Sequence, residues 1–181
     1  MRIFNSWLGI CKWLPVLDCS WSICAASSSR LLMLMILEQD PASADAESLM
    51  SELSAALARI TGDGGRASFD PDDVRGPKAC FLVAWDKAGQ AVGCGALRPL
   101  DTDIAEVKRM YARPGTSGVG AAILAHLETA AADYGYRAIR LETRLINARA
   151  VAFYERHGYR RIANYGKYAG RPEAVCFEKR L

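Results

Sequence analysis

Residues Glu106 to Glu128, EVKRMYARPGTSGVGAAILAHLE, read as a strand that passes through a glycine turn into a helix. Such a turn leaves several backbone N–H groups unbonded at the helix start and points the positive end of the helix dipole at whatever lies in front of it. The segment therefore predicts an anion site. A second segment, Asn147 to Tyr159, NARAVAFYERHGY, reads as a short helix with a polar first residue and an inward-facing tyrosine. Whichever anion the first segment holds, the second has to be compatible with it.

The chain has 181 residues, 51% of them hydrophobic, which suits one well-buried domain and falls short of two ordinary ones. The formal net charge is +3, and Arg2, Lys12 and Arg30 against Asp18 account for most of it. The remainder is close to neutral and lacks the basic footprint of a nucleic-acid binder.

The first 30 or so residues differ from the rest. They carry Trp7, Trp13 and Trp21 together with Cys11, Cys19 and Cys24, without a sustained helical or strand period. Lys12 and Pro15 interrupt the apolar stretch from Trp7 to Leu17, making it a poor membrane span and a weak signal core. The cysteine spacing matches no metal site, and the two histidines, His126 and His157, lie far away. Residues 1–32 are expected to be an appendage to a domain over 33–181, either sequence translated upstream of a start near Met33 or Met35 or a membrane-surface or targeting segment. Cys80, Cys94 and Cys176 sit in apolar runs and read as small buried hydrophobes of a reducing compartment.

From Leu31 the pattern becomes regular. Leu31 to Leu37 suits a buried strand; Ala46, Leu49, Met50, Leu53, Ala56, Leu57 and Ile60 fall at helical spacing, with Gly62 as the stop. Thr61 to Lys78 is rich in glycine, proline and aspartate and predicts an irregular loop with at most one helical turn after Pro71. Cys80 to Trp85 and Ala91 to Leu97 read as a hairpin, followed by a strand at Ile104 to Ala112, a helix at Ser117 to Tyr134 and a strand at Ala138 to Thr143. A helix at Ala148 to His157, capped by Gly158, and strands at Tyr159 to Ala163 and Ala174 to Lys179 complete a mixed α/β order.

Two phosphate-binding patterns fail on the glycine turn. A P-loop needs a lysine after its last glycine, and Gly120 is followed by Ala121, with the next lysine at Lys167. A dinucleotide fingerprint needs a third glycine where Ile123 stands, and it opens its fold, whereas three strands precede this turn.

From Leu34 to Leu181 the sequence resembles the GNAT family of N-acetyltransferases. Gly118, Val119 and Gly120 match the second half of the family's phosphate-binding signature, while Gly115 stands where an Arg or Gln is usual and the segment between Pro114 and Gly118 is shorter than usual. Asn147, Ala150, Phe153, Tyr154, Gly158 and Tyr159 match the family's second motif. The resemblance implies an acyl-CoA N-acyltransferase fold, a mostly antiparallel sheet with a splayed parallel strand pair that grips acetyl-CoA. With Gly115 in the signature, the backbone N–H groups of Ser117 to Ala121 are left to hold the pyrophosphate.

The roles that the resemblance implies are as follows. Met110, Tyr111 and Ala112 pair through their backbone with the pantetheine chain, and Asn147 also contacts it, compatibly with capping its helix. Glu106 is the general base, placed by a period of two on the face of Lys108, Met110 and Ala112, with a merely solvated strand carboxylate paired to Lys108 or Arg140 as the alternative and Glu142 in reserve. Tyr154, with a reference pKa of ~10, protonates the departing thiolate, the alternative being a packing aromatic. The acceptor, a small-molecule or peptide amine, is expected between Gly62 to Lys78 and Tyr165 to Glu173, where Asp70, Asp72 and Asp73 either attract a cation or are simply solvated. The reading implies an acetyl-CoA-dependent N-acetyltransferase of the cytoplasm, a monomer or homodimer, with no metal, nucleic acid or membrane partner. A non-catalytic acyl-CoA-binding module of the same fold is the alternative.

Overall fold

The computed structural model describes residues 22–24 and 32–181. The other residues of the expected appendage lie outside the described residues. Among the described residues eight strands form one sheet: β1 (Ser22–Cys24), β2 (Leu32–Glu38), β3 (Cys80–Trp85), β4 (Ala91–Asp101), β5 (Ile104–Ala112), β6 (Ala138–Arg144), β7 (Arg160–Ile162) and β8 (Ala174–Arg180). Their order is β1-β2-β3-β4-β5-β6-β8-β7, antiparallel at every step except β5 to β6, the expected architecture. Among the described residues three helices cover the sheet: α1 (Ala44–Thr61), α2 (Val119–Asp133) and α3 (Ala148–Arg156). The predicted turn after Pro71 is a 3-10 turn over Pro71–Val74, with two further ones at Arg66–Ser68 and Gly166–Tyr168.

The helices divide the core between the two faces. Ser43 caps α1 by accepting from Ala46 N, and Gly62 ends the helix in the left-handed region at φ 79°, where glycine carries no steric penalty. Leu49 and Ala46 of α1 pack with Phe81, Val83, Cys94 and Ala96 on one face. On the other, Val119, Ile123, Leu124 and Leu127 of α2 and Val151 and Tyr154 of α3 pack on Leu97, Val107, Ile139, Leu141 and Phe177. Each large side chain buried in this way stabilises the fold by ~1.5–3 kcal/mol. Two glycines bring α2 close to the sheet. A Cβ on Gly93 would stand 2.7 Å from Val119 Cγ1, and one on Gly95 would stand 2.8 Å from Ile123 Cγ2 and 2.7 Å from Met110 Sδ.

Cross-links outside the core fix α1. Trp85 Nε1 donates to Asp45 Oδ2 at 2.8 Å near the helix start, and in mid-helix Glu52 accepts from Arg113 and from the Tyr111 hydroxyl. Cys80, Cys94 and Cys176 are buried free thiols. Burial pushes Cys80 and Cys94 up to about 12, which leaves them protonated and unreactive. Among the described residues no helix is long and apolar enough to cross a membrane.

One irregularity decides where the charged side chains point. Cys94 pairs with Tyr111 and Ala96 with Lys108, so three steps along β5 oppose two along β4. Arg109 sits within this bulge at φ 53°, a left-handed conformation costing a side-chain-bearing residue ~1–3 kcal/mol. The extra residue reverses the alternation of faces. Ala105 and Val107 before it, and Met110 and Ala112 after it, all pack on the α2 face. Glu106, Lys108 and Tyr111 lie opposite Arg98, Ala96 and Cys94, on the α1 face. The expectation that Glu106 and Lys108 share a face with Met110 and Ala112 is therefore wrong, because a strict period of two does not survive a bulge.

Candidate active site

The parallel pair separates partway along its length. β5 and β6 pair at Ile104 with Ala138, Ala105 with Ile139 and Glu106 with Arg140, and no pairing continues toward Ala112 and Arg144. On the other side of β5, Arg113 N–H bonds Val92 O of β4 at 2.9 Å. Strand alternation therefore turns the Ala112 and Met110 amides away from β4, into the gap. α2 begins beside this gap. Gly118 adopts φ 77° as its N-cap without a side-chain hydrogen bond, and the first intrahelical bond is Ala122 N to Gly118 O, leaving the earlier amides pointing forward.

A cavity of about 380 Å³ occupies the gap, lined by Met110, Tyr111, Ala112, Gly118, Val119, Gly120, Ala121, Asn147 and Tyr154. All the anticipated coenzyme positions but one converge here. Ser117 is exposed and does not line the cavity; Thr116 does, with its hydroxyl donating to Arg113 O at 2.6 Å. Arg59 of α1 and Arg149 and Arg156 of α3 also line it and bring positive charge to a site whose signature has Gly115 in place of an Arg or Gln. The sequence carried a signal for two of them: Arg149, Phe153 and Arg156 at i, i+4 and i+7 form one stripe of α3.

A second cavity, about 370 Å³, opens on the α1 face and is lined by polar and charged side chains, among them Lys108, Arg109, Glu142, Arg144, Lys167 and Tyr168. The two cavities share Leu53, Leu57, Met110, Asn147, Ala150 and Tyr154. At this junction Tyr154 is 7% exposed and wedged by ring contacts to Phe153, Tyr159 and Phe177. Its hydroxyl has no hydrogen-bond partner among the described residues. Burial foremost, and the negative charge of Glu142 next, push its pKa well above the ordinary tyrosine value. Asn147 caps α3, its Oδ1 accepting from Ala150 N at 3.3 Å, so its amide nitrogen remains as a donor at the junction.

The two candidate carboxylates occupy opposite situations. Glu106 is 1% exposed and lines neither cavity. Its Oε2 accepts from Arg98 at 2.7 Å and 3.0 Å, and its Oε1 accepts from the Tyr165 hydroxyl at 2.9 Å and stands 3.0 Å from Lys108 Nζ. Burial alone would raise its pKa; Lys108 and Arg98 outweigh that and hold it below the ordinary glutamate value. Arg140, its other expected partner, pairs instead with Glu178 at 2.8 Å. Glu142 lines the charged cavity and makes no hydrogen bond among the described residues. Burial raises its pKa, against the opposing pull of Lys108 and Arg144.

The aspartates of the early loop are occupied by the loop itself. Asp70 accepts from Asp72 N, Asp72 pairs with Arg75, and Asp73 pairs with Arg98; none of the three lines the cavity.

A mostly antiparallel sheet opened by one splayed parallel pair, with a helix N-terminus over the gap and a charged cavity behind it, defines an acyl-CoA N-acyltransferase fold. The chain belongs to the GNAT family of acetyltransferases, whose family model, described as the acetyltransferase (GNAT) family, matches residues 46–159. It is 32% identical over 137 residues to an IAA acetyltransferase of Azospirillum brasilense, covering 74% of this chain and 88% of the relative. It is also 32% identical over 114 residues to the uncharacterized N-acetyltransferase YsnE of Bacillus subtilis (strain 168), covering 61% and 75%. A Klebsiella pneumoniae protein described as an acyl-CoA N-acyltransferase superimposes with a TM-score of 0.70 at 28% identity, covering 82% of this chain and 98% of that one. A GNAT acetyltransferase of Elizabethkingia anophelis, solved with acetyl-CoA bound, shares the fold at 15% identity with a TM-score of 0.60, over 82% and 98% of the two chains. The protein is an acetyltransferase.

Proposed function

We propose that the protein transfers the acetyl group of acetyl-CoA directly to the amine of an acceptor seated in the charged cavity. Glu142 takes the ammonium proton, and Tyr154 supplies a proton to the departing thiolate. The observation that carries this reading is the junction: the apolar gap and the charged cavity share Leu53, Leu57, Met110, Asn147, Ala150 and Tyr154, so a donor in one meets an acceptor in the other.

The residues present suit acetyl-CoA. The forward amides at the start of α2, with Arg59, Arg149 and Arg156 around the same gap, match a pyrophosphate. The turned-out Met110 and Ala112 amides and the free Asn147 nitrogen match an amide-bearing chain. Bound there, acetyl-CoA supplies an activated acetyl carbonyl. A Tyr154 pKa raised by burial keeps that hydroxyl protonated at neutral pH, as a proton donor must be. A carboxylate raised toward neutrality and open to the acceptor suits a base, which favours Glu142 over the saturated Glu106. In this reading Glu106 is a positioning residue that fixes Lys108 and Tyr165 beneath the cavity.

The test is coenzyme-thiol release from acetyl-CoA across a panel of small amines, aminoglycosides, amino acids and peptide N-termini. Acceptor-dependent release is expected. Tight coenzyme binding without it, across the whole panel, would favour a non-catalytic acyl-CoA-binding module and sink the reading.

A further inference from the structure

Two guanidinium groups lining the acceptor cavity each leave their Nε–H donor unbonded. Arg109 Nε and Arg144 Nε are both buried and without a hydrogen-bond partner. An unsatisfied buried donor is costlier on a charged group than on a neutral one. Arg109 is moreover held in the left-handed bulge, where its Nη2 donates to Gly65 O at 2.8 Å and its guanidinium lies 5.2 Å over the Phe69 ring. The Arg144 side chain makes no hydrogen bond or ion pair among the described residues. Lys167 and Arg171 line the same cavity, and with Lys108 its cations number five against three carboxylates. A plain alkylammonium entering this site would add charge of the sign already in excess and leave both Nε–H groups unbonded.

We propose that the acceptor is an amino acid, whose carboxylate is held by Arg144 and Arg109 while its amine faces Glu142. The proposal rests on the acetyl-transfer reading above and specifies its acceptor. Glu142 and Arg144 are two residues apart on β6, so their side chains leave the same strand face about 7 Å apart. That spacing matches a molecule whose amine and carboxylate are separated by one or two carbons, each end taking one side chain. A guanidinium binds a carboxylate through two parallel N–H donors, and an Nε–H is one member of such a fork. A carboxylate would therefore satisfy the orphaned donors and offset the cationic excess of the cavity.

The test compares kcat/KM for L-amino acids with their carboxamides and decarboxylated amines, matched side chain by side chain, using thiol release from acetyl-CoA. The carboxamide has the less basic amine, so without carboxylate recognition it would be the better acceptor. The amino acid is expected to exceed both analogues at least tenfold. In Arg144→Gln that preference should collapse toward unity, and in Arg144→Lys, which keeps the charge without the fork, it should recover in part. A thermal scan identifies a variant that has lost its fold, in which case Arg109→Gln carries the comparison. If carboxamides or amines serve equally well or better, the amino-acid proposal is overturned while acetyl transfer to amines stands. If none of the three series releases thiol while an aminoglycoside or a peptide N-terminus does, the amino-acid proposal is overturned and acetyl transfer stands; if no amine of any class does, both fail.

Discussion

Lys108 Nζ stands 3.0 Å from Glu106 Oε1, with side-chain exposures of 7% and 2%. The same ammonium donates to the Tyr168 hydroxyl at 2.6 Å, so the pair ties β5 to the loop that closes the acceptor cavity. Removing the Glu106 charge leaves the buried Lys108 without an ion-pair partner and Arg98 with Asp73 alone. Glu106→Gln is expected to cost about 3–5 kcal/mol, as breaking a buried pair does, or roughly 10 °C in Tm for a domain of this size. The pH dependence has a definite sign. A carboxyl whose folded pKa is depressed contributes stability that is present above its unfolded value and lost as pH falls through the folded one. The gap in Tm between the natural protein and the variant should therefore narrow on acidification below the ordinary glutamate range. An unchanged Tm at neutral pH would contradict the network.

Gly95 tests the seating of α2. A Cβ there would lie 2.7 Å from Met110 Sδ, 2.8 Å from Ile123 Cγ2 and 3.0 Å from Leu127 Cδ1, with two of these three atoms on the helix. Gly95→Ala should cost about 1–3 kcal/mol through overpacking and weaken acetyl-CoA binding by moving the α2 N-terminus. Calorimetric titration with acetyl-CoA and a denaturant midpoint read the two effects separately. Coenzyme affinity equal to that of the natural protein would show that the helix start does not contribute.

Tyr154→Phe deletes one hydroxyl and keeps the ring packed against Phe153, Tyr159 and Phe177. Turnover is expected to fall about 10²-fold, the usual scale for a lost general acid, with acetyl-CoA affinity and Tm nearly unchanged. A fully active variant would remove the proton-donor role.

The parts of the site legible in the sequence were those written into one continuous segment. The β5-turn-α2 unit and the α3 motif each carry their own spacing, and nearly all their marked positions line the coenzyme gap. What escaped depended on partners distant in the chain. The bulge at Arg109 exists because β5 has one more residue than β4 between two pairings, and no periodicity within β5 announces it. That single residue misassigned the face of Glu106. The exposure of Glu106 was equally hidden, since it depends on Arg98, Lys108 and Tyr165 arriving together from β4, β5 and the loop before β8. That the Nε–H groups of Arg109 and Arg144 go unbonded is a property of space alone.

The most direct measurement is kcat/KM against pH for the natural protein, Glu142→Gln and Glu106→Gln. Burial raises the Glu142 pKa, so it stays protonated, and unable to accept a proton, to a higher pH than an ordinary glutamate does. The natural protein should show an acid limb there. Glu142→Gln should abolish that limb and lower kcat/KM about 10²-fold or more, whereas Glu106→Gln should keep it. Loss of the limb in Glu106→Gln with its retention in Glu142→Gln would contradict the account.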